Sequence, residues 1–164
     1  MTYRAATKLE NLQDEMTSPK NMVFSAERSD PSKAPRQLRI LIADDDRDSV
    51  LTLMMVLRLE GHETRGVYNG KQVIPTLRDF EADAIVLDIA MPGLSGWEVA
   101  SIIKQRYGDN APLLIGVSGQ YKQASDKILS NIVGFNHYLL KPYEPSELLK
   151  LLAPLRHPPE VDPG

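Results

Sequence analysis

Short apolar runs alternate with amphipathic segments through most of this chain. The apolar runs predict β-strands at residues 38–43, 62–67, 83–88, 112–117 and 136–140. The segments between and after them repeat apolar residues every three or four positions, which predicts helices at 50–59, 70–80, 95–107, 124–133 and 146–153. Five strand–helix pairs in strict alternation, with short connections, predict an α/β fold built on a doubly wound parallel sheet.

Glycine and proline set the expected ends of several helices. Gly61 suits the end of the first helix, because glycine accepts a positive φ. We expect the second helix to be kinked or shortened at Pro75, and the last helix to stop at Pro154. An apolar face toward the core is expected of four residues in the third helix: Trp97, Val99, Ile102 and Ile103.

The two ends of the chain differ in amino-acid composition from its middle. The expected boundaries are 1–36 for a flexible extension, 37–155 for one domain, and 156–164 for a disordered tail. Leu9, Leu12 and Met16 leave open a short docking or dimer helix within residues 3–16. We expect no output domain in addition to these parts.

Composition narrows the class of protein. With 164 residues, 42% of them hydrophobic, the chain can bury one proper core. A net charge of −3 does not favour a nucleic-acid partner, and the lack of cysteine excludes disulfides, thiolate metal sites and cysteine nucleophiles. No apolar run approaches the roughly 18 residues of a membrane span, and no signal peptide is recognisable. These features predict a cytoplasmic protein without a membrane partner.

Four of the five predicted strands end at residues that can bind a cation or an anion. Asp44, Asp45 and Asp46 follow the first strand, Asp88 ends the third, Ser118 follows the fourth, and Lys141 follows the fifth. Because the carboxyl ends of parallel strands share one side of the sheet, these distant residues are expected to converge there.

Each of these residues has an ordinary explanation by itself, as a helix start, a turn hydroxyl or a strand exit. Together they indicate phosphoryl chemistry. Clustered carboxylates repel one another, so a bound cation is the simplest way to keep them ionised, and Mg²⁺ prefers such oxygen ligands. Lys141 and Ser118 would then bind phosphoryl oxygens, while Asp88 would accept the group as an aspartyl-phosphate.

Four motifs resemble those of the receiver domains of two-component response regulators: ILIADDD, IVLDIAMPGLSGWEV, VSG and LLKPY. The likeness covers about residues 37–154. It implies the flavodoxin-like (βα)5 fold with strand order 2-1-3-4-5, of which receiver domains are a standard example. It implies Asp88 as the phosphoacceptor. It also implies that Mg²⁺ is bound by Asp44, Asp45, Asp88 and the backbone carbonyl of Ala90. Of the two aspartates after the first strand, Asp45 would be the more direct ligand of the ion. Asp46 receives no clear role.

The resemblance also implies two switch residues. Ser118 would turn inward to bind the phosphoryl group, and Tyr138 would be the aromatic residue that follows it. A half-buried strand aromatic is the alternative for Tyr138. A cis peptide is expected between Lys141 and Pro142. Neither Ala90 nor Gln120 carries a carboxylate that could position attacking water, so we expect slow autodephosphorylation.

The implied function is a signalling switch, which a sensor histidine kinase phosphorylates and which then binds a downstream target or passes the group to a phosphotransfer protein. Its catalysis would be limited to its own phosphorylation and dephosphorylation. A homodimer could form through the N-terminal extension, or through the fourth helix, fifth strand and fifth helix, with surface residues Lys127, Asn131, Tyr138, Tyr143 and Glu147. Two alternatives stay open: a small Mg²⁺-dependent phosphohydrolase, and a scaffold whose metal is only structural.

Overall fold

The computed structural model describes residues 35–119 and 134–157. Its strands are β1 (Arg39–Ala43), β2 (Glu63–Val67), β3 (Ala84–Asp88), β4 (Leu113–Ser118) and β5 (His137–Leu140). Its helices are α1 (Arg47–Leu59), α2 (Gly70–Asp79), α3 (Gly96–Tyr107) and α4 (Pro145–Arg156), with a 3₁₀ turn at Gly108–Asn110. All strand pairs are parallel and the order is β2-β1-β3-β4-β5, which confirms the predicted fold class and strand order. The predicted helix at 124–133, and nearly all of the predicted extension and tail, lie outside the described residues.

Helices cover the sheet on both faces. Along β1, Leu41 and Ala43 belong to the apolar cluster that includes residues of α2 and α3. Ile40 and Ile42 belong to the cluster that includes residues of α1 and α4. The central strand β3 is buried at all five positions. Burial on both faces explains why the strands are unbroken apolar runs rather than alternating ones.

Asp83 ties together the amino-terminal ends of the central strands. It lies one residue before β3, where its carboxylate accepts hydrogen bonds from the Arg39 backbone N–H at 2.7 Å and the Arg36 guanidinium at 2.6 Å. Its carbonyl accepts from the Leu113 N–H at 3.0 Å. Asp83 therefore aligns β1, β3 and β4 at the end of the sheet away from the carboxyl ends of the strands.

The expected stop of the last helix at Pro154 is wrong, and of the two effects expected at Pro75 the shortening does not occur, whereas the kink stays a prediction. α2 continues past Pro75, and α4 continues past Pro154. Each proline removes one helical hydrogen bond, but apolar residues on the following turn, Leu77 and Leu155, still pack against the core. The last turn of α4 gains a further contact, because the carbonyl of Arg156 accepts the Arg36 N–H at 3.1 Å.

The apolar face of α3 is narrower than expected. Val99 and Ile103 are fully buried, whereas Ile102 is 36% exposed. Adjacent residues on a helix are turned by ~100° from each other, so Ile102 and Ile103 cannot both face the core. Among the helices of the described residues, none is both long and apolar enough to cross a membrane.

His62 is a buried titratable group remote from the carboxyl ends of the strands. It is 3% exposed, and its Nδ1 accepts the backbone N–H of Leu38 at 3.3 Å. Burial lowers the pKa of His62, the positive charge of Arg156 lowers it further, and Glu60 opposes both. The folded protein therefore holds His62 as the neutral imidazole.

Acidification should therefore destabilise the fold through His62. The unfolded chain protonates this residue near the ordinary pKa of about 6.5, and the folded chain only at lower pH, so stability is lost as the pH falls through that window. Urea unfolding at pH 7.5 and pH 5.5 should show a smaller loss for His62→Asn, whose amide oxygen can replace Nδ1 as acceptor. The exposed His137→Asn variant is the control and should keep the wild-type loss; equal losses in all three proteins would contradict this account.

Candidate functional site

The site lies where the strand order reverses, at the carboxyl ends of β1 and β3. Ala43 pairs with Leu87 in the register of these strands, so the next residues, Asp44 and Asp88, stand side by side. The chain leaves β1 toward β2, on one side, and leaves β3 toward β4, on the other side, which opens a crevice at this point. Topology therefore brings together carboxylates that are far apart in sequence.

Three carboxylates form a compact cluster in this crevice. One oxygen each of Asp44, Asp45 and Asp88 lies within 4.8 Å of the others. Asp44 and Asp88 are buried, and Asp45 is exposed. Opposite ligands of an octahedral Mg²⁺ are ~4.2 Å apart, so small side-chain rotations would let these oxygens share one ion. Both the donor chemistry and the spacing fit a hard divalent cation.

Lys141 supplies the positive charge at the cluster. It directly follows β5, and its Nζ lies 2.7 Å from Oδ2 of Asp44 and 3.6 Å from Oδ1 of Asp88. The Lys141 backbone N–H donates to the Ser118 carbonyl at 2.9 Å, which fixes the strand exit beside β4. The peptide between Lys141 and Pro142 is cis, as the resemblance implies.

The charges of the site shift the pKa values of its members. Burial raises the pKa of Asp88, and the nearby Asp44 raises it further, against the lowering effects of Lys141 and the Ala90 backbone N–H. Burial lowers the pKa of Lys141, but its hydrogen bond to Asp44 and the charges of Asp44 and Asp88 outweigh burial and raise it. Lys141 is therefore held as a cation, while ionised Asp88 is an unfavourable anion that a further positive charge would stabilise.

Asp46 belongs to a helix rather than to the acidic cluster. Its carboxylate caps α1, accepting the Asp48 N–H at 3.1 Å and the Ser49 hydroxyl at 2.6 Å. These two bonds, that of Ser49 first, lower the pKa of Asp46. Of the three consecutive aspartates, two thus face the site and the third starts the helix at Arg47, three residues earlier than predicted.

The two predicted switch residues lie in the strands next to the cluster. Ser118 is buried as the last residue of β4. Tyr138 in β5 is half-buried, with its ring centroid 5.0 Å from that of Phe135 and 6.0 Å from that of Trp97. The ring also lies against Gly116, where an added Cβ would come within 2.8 Å of it. The switch role of Ser118 and Tyr138 and the ligand role of the Ala90 carbonyl stay predictions.

A pocket of about 610 Å³ extends from the carboxylates between α1 and the start of α4. Its wall includes Ser49 and Thr52 of α1 and Tyr143, none of which was predicted to lie at the site. Ser49 lies in the first turn of α1, ahead of the predicted helix start. Tyr143 was expected on an open surface but is half-buried, and burial raises its pKa.

The remaining residues of the predicted homodimer surface are Glu147, Lys127 and Asn131. Glu147 is exposed, and its carboxylate accepts the Glu144 N–H at 2.9 Å at the start of α4. Lys127 and Asn131 lie outside the described residues, as does Gln120. A homodimer through this surface stays a prediction.

Replacing Asp88 should stabilise the protein. Asp88→Asn removes a buried negative charge that burial and Asp44 both disfavour, so we expect a higher free energy of unfolding at pH 7, by about 1 kcal/mol. Because folding raises the pKa of Asp88, its destabilising effect exists above that pKa and vanishes as the pH falls through it. Urea unfolding should thus separate the two proteins at pH 7 and bring them together at acid pH. The exposed Asp45→Asn is the matched control and should change stability less.

Comparison with known proteins agrees with this geometry. Residues 40–153 match the response regulator receiver domain family. The DNA-binding response regulator MtrA of Mycolicibacterium paratuberculosis is 31% identical over 111 residues, which are 68% of this chain and 48% of MtrA, so the chain spans about half the length of this relative. The receiver domain of the Francisella response regulator 1452 is 25% identical with a TM-score of 0.65, over 71% of this chain and 93% of that one. The chemotaxis protein CheY4 of Vibrio cholerae, 21% identical, has the same fold with a TM-score of 0.66, over 71% of this chain and 97% of that one. The chain therefore belongs to the receiver domains of two-component response regulators.

Proposed function

We propose that this receiver domain accepts a phosphoryl group on Asp88 from the phosphohistidine of a sensor kinase, with Mg²⁺ as its cofactor. The observation that supports this most directly is the arrangement of three clustered carboxylate oxygens beside one ammonium group. A divalent cation held by these oxygens would, together with Lys141, offset the negative charge of the acceptor and of an incoming phosphoryl group. The phosphorylated form would then bind a downstream target or pass the group to a phosphotransfer protein.

Asp44, Asp45, Asp88 and the Ala90 carbonyl are the residues that would hold the ion. When bound, Mg²⁺ supplies positive charge that screens the carboxylates from one another and from phosphoryl oxygens. Asp45 is exposed and would be the easiest ligand for the ion to reach, whereas Asp44 is already hydrogen-bonded to Lys141. Lys141 lies close enough to both buried carboxylates to bind a phosphoryl oxygen beside them.

The transfer step needs only groups at this site and the donor. A carboxylate oxygen of Asp88 would form the new bond to phosphorus while the phosphorus–nitrogen bond of the donor breaks, and the imidazole would leave with the electron pair and take up a proton. Lys141 and the Ser118 hydroxyl would orient the oxygens of the transferring group. Burial of Asp88 would strengthen the attraction between Lys141 and the transferring group, because fixed charges act more strongly where water is excluded.

Acetyl phosphate can test the acceptor without the kinase. After incubation with acetyl phosphate and Mg²⁺, intact-mass analysis should show one added phosphoryl group on the wild type and none on Asp88→Asn. Chelation of Mg²⁺, or replacement of Asp45 by asparagine, should strongly reduce the labelled fraction.

Three other outcomes would contradict the proposal. A label that persists on Asp88→Asn would exclude Asp88 as the acceptor. Rapid, repeated release of inorganic phosphate would favour the phosphohydrolase. Failure to label under conditions where Mg²⁺ still raises the melting temperature would favour a scaffold with a structural metal.

We also propose a long-lived phosphoryl group, because the exposed Ala90 offers no carboxylate to position attacking water. The decay of the labelled fraction, followed by mass after removal of acetyl phosphate, should take minutes or longer. Ala90→Glu should shorten the lifetime, whereas the matched polar variant Ala90→Gln should not. A wild-type half-life of a few seconds would be inconsistent with this reasoning.

A further inference from the structure

Three aromatic side chains form a cluster between α3 and β5. Trp97 lies in the first turn of α3, Phe135 lies two residues before β5, and Tyr138 lies in β5. The ring centroid of Phe135 is 5.0 Å from that of Tyr138 and 5.5 Å from that of Trp97, and the Trp97 and Tyr138 centroids are 6.0 Å apart. Aromatic rings attract each other over roughly 4.5–7 Å. The ring of Tyr138 is therefore held by two aromatic neighbours.

Gly116 provides the space that the Tyr138 ring occupies. It pairs with Tyr138 in the register of β4 and β5. A Cβ added at Gly116 would lie 2.8 Å and 3.0 Å from two ring carbons of Tyr138, and 3.1 Å from a ring carbon of Phe135. Carbon atoms of separate residues normally pack at about 3.5–4.0 Å. Any side chain at position 116 would therefore compete with the Tyr138 ring for the same volume.

Nothing else about position 116 requires glycine. It lies inside β4, and it is not one of the glycines with a positive φ. Glycine weakens the interior of a strand, and it is used there mainly where another group approaches the backbone closely. The group that approaches Gly116 is the ring of Tyr138. The close contact with this ring is therefore the reason for the glycine.

The same contact brings Tyr138 next to the other predicted switch residue. Side chains alternate along a strand, so Leu114, Gly116 and Ser118 of β4 face one side of the sheet. Leu114 belongs to the apolar cluster against which Trp97 and Tyr138 pack. The Tyr138 ring thus lies over the residue two positions before Ser118, and its hydroxyl oxygen is buried. This is an inward orientation of the ring.

We propose that Gly116 is a positioning residue for Tyr138, and that it makes the inward orientation of this ring the preferred one before phosphorylation. The proposal rests on the phosphorylation switch proposed above and on the switch role predicted for Tyr138. Phe135 and Trp97 lie outside the carboxylate cluster, so their contacts with the ring do not depend on a phosphoryl group at Asp88. The signal of phosphorylation would then come from Ser118 and the loops at the strand ends, rather than from a rotation of Tyr138.

Nuclear Overhauser effects can test the orientation of the ring in the full chain. Effects between the ring protons of Tyr138 and the α-protons of Gly116 should be present in the untreated protein. They should persist after incubation with acetyl phosphate and Mg²⁺. Effects that appear only after this treatment would overturn the proposal, because the ring would then move inward in response to phosphorylation.

Gly116→Ala should displace the ring and abolish the Overhauser effects between Tyr138 and Trp97. Gly119→Ala is the matched control, because a Cβ at Gly119 meets no atom within 4 Å, and it should retain these effects. Gly116→Ala should also lower the melting temperature more in the wild type than in Tyr138→Ala, where the colliding ring is absent. Equal lowering in both backgrounds, or a Tyr138–Trp97 effect that survives Gly116→Ala, would refute the role of Gly116.

Intact mass after treatment with acetyl phosphate and Mg²⁺ keeps this test separate from that of the proposed function. A wild type that takes up no phosphoryl group would count against the proposed function, while the Overhauser effects in the untreated protein would still decide the orientation of Tyr138. Gly116→Ala should be labelled to the same extent as the wild type. Loss of labelling in this variant would contradict a role that acts through Tyr138 alone.

Discussion

Electrostatic repulsion between Asp44 and Asp88 is the constraint on which the rest of the site depends. The strand register places these buried carboxylates next to each other, and Asp45 adds a third. Such a cluster is unfavourable by itself, because burial and like charges both oppose ionisation. Lys141 relieves the repulsion in part, through a contact of 2.7 Å with Asp44 and a longer one of 3.6 Å with Asp88. The remaining imbalance is largest at Asp88, the residue proposed to accept the phosphoryl group.

The sheet holds this unfavourable arrangement because it is anchored elsewhere. Apolar residues fill both faces of β1 and β3, so neither strand can move away from its neighbour without opening the core. At the opposite end of the strands, Asp83 binds β1 and β4 through short hydrogen bonds. The fold is thus secured at one end of its strands, and the charged groups are concentrated at the other end.

Most of the sheet and of the charged cluster at the carboxyl ends of its strands could be predicted from the sequence. The apolar runs located the strands, and the polar residues at four of the five strand ends located the cluster, because parallel topology leaves little choice of where those ends meet. Features that depend on tertiary packing were missed. Pro154 lies inside α4 since Leu155 gains contacts beyond it, and Tyr143 turns into a pocket that forms only when α1 and α4 cover the sheet. The function of Asp46 as a cap depended on the true start of α1.

Trp97 is the chain's single tryptophan, and its ring lies beside those of Phe135 and Tyr138. Aromatic neighbours this close influence the emission of an indole, and any reorientation of Tyr138 would change the surroundings of that indole. The domain therefore contains an intrinsic optical probe at the boundary between α3 and β5. Its fluorescence lifetime can report in real time, without a label, on changes in the packing of α3 against β5.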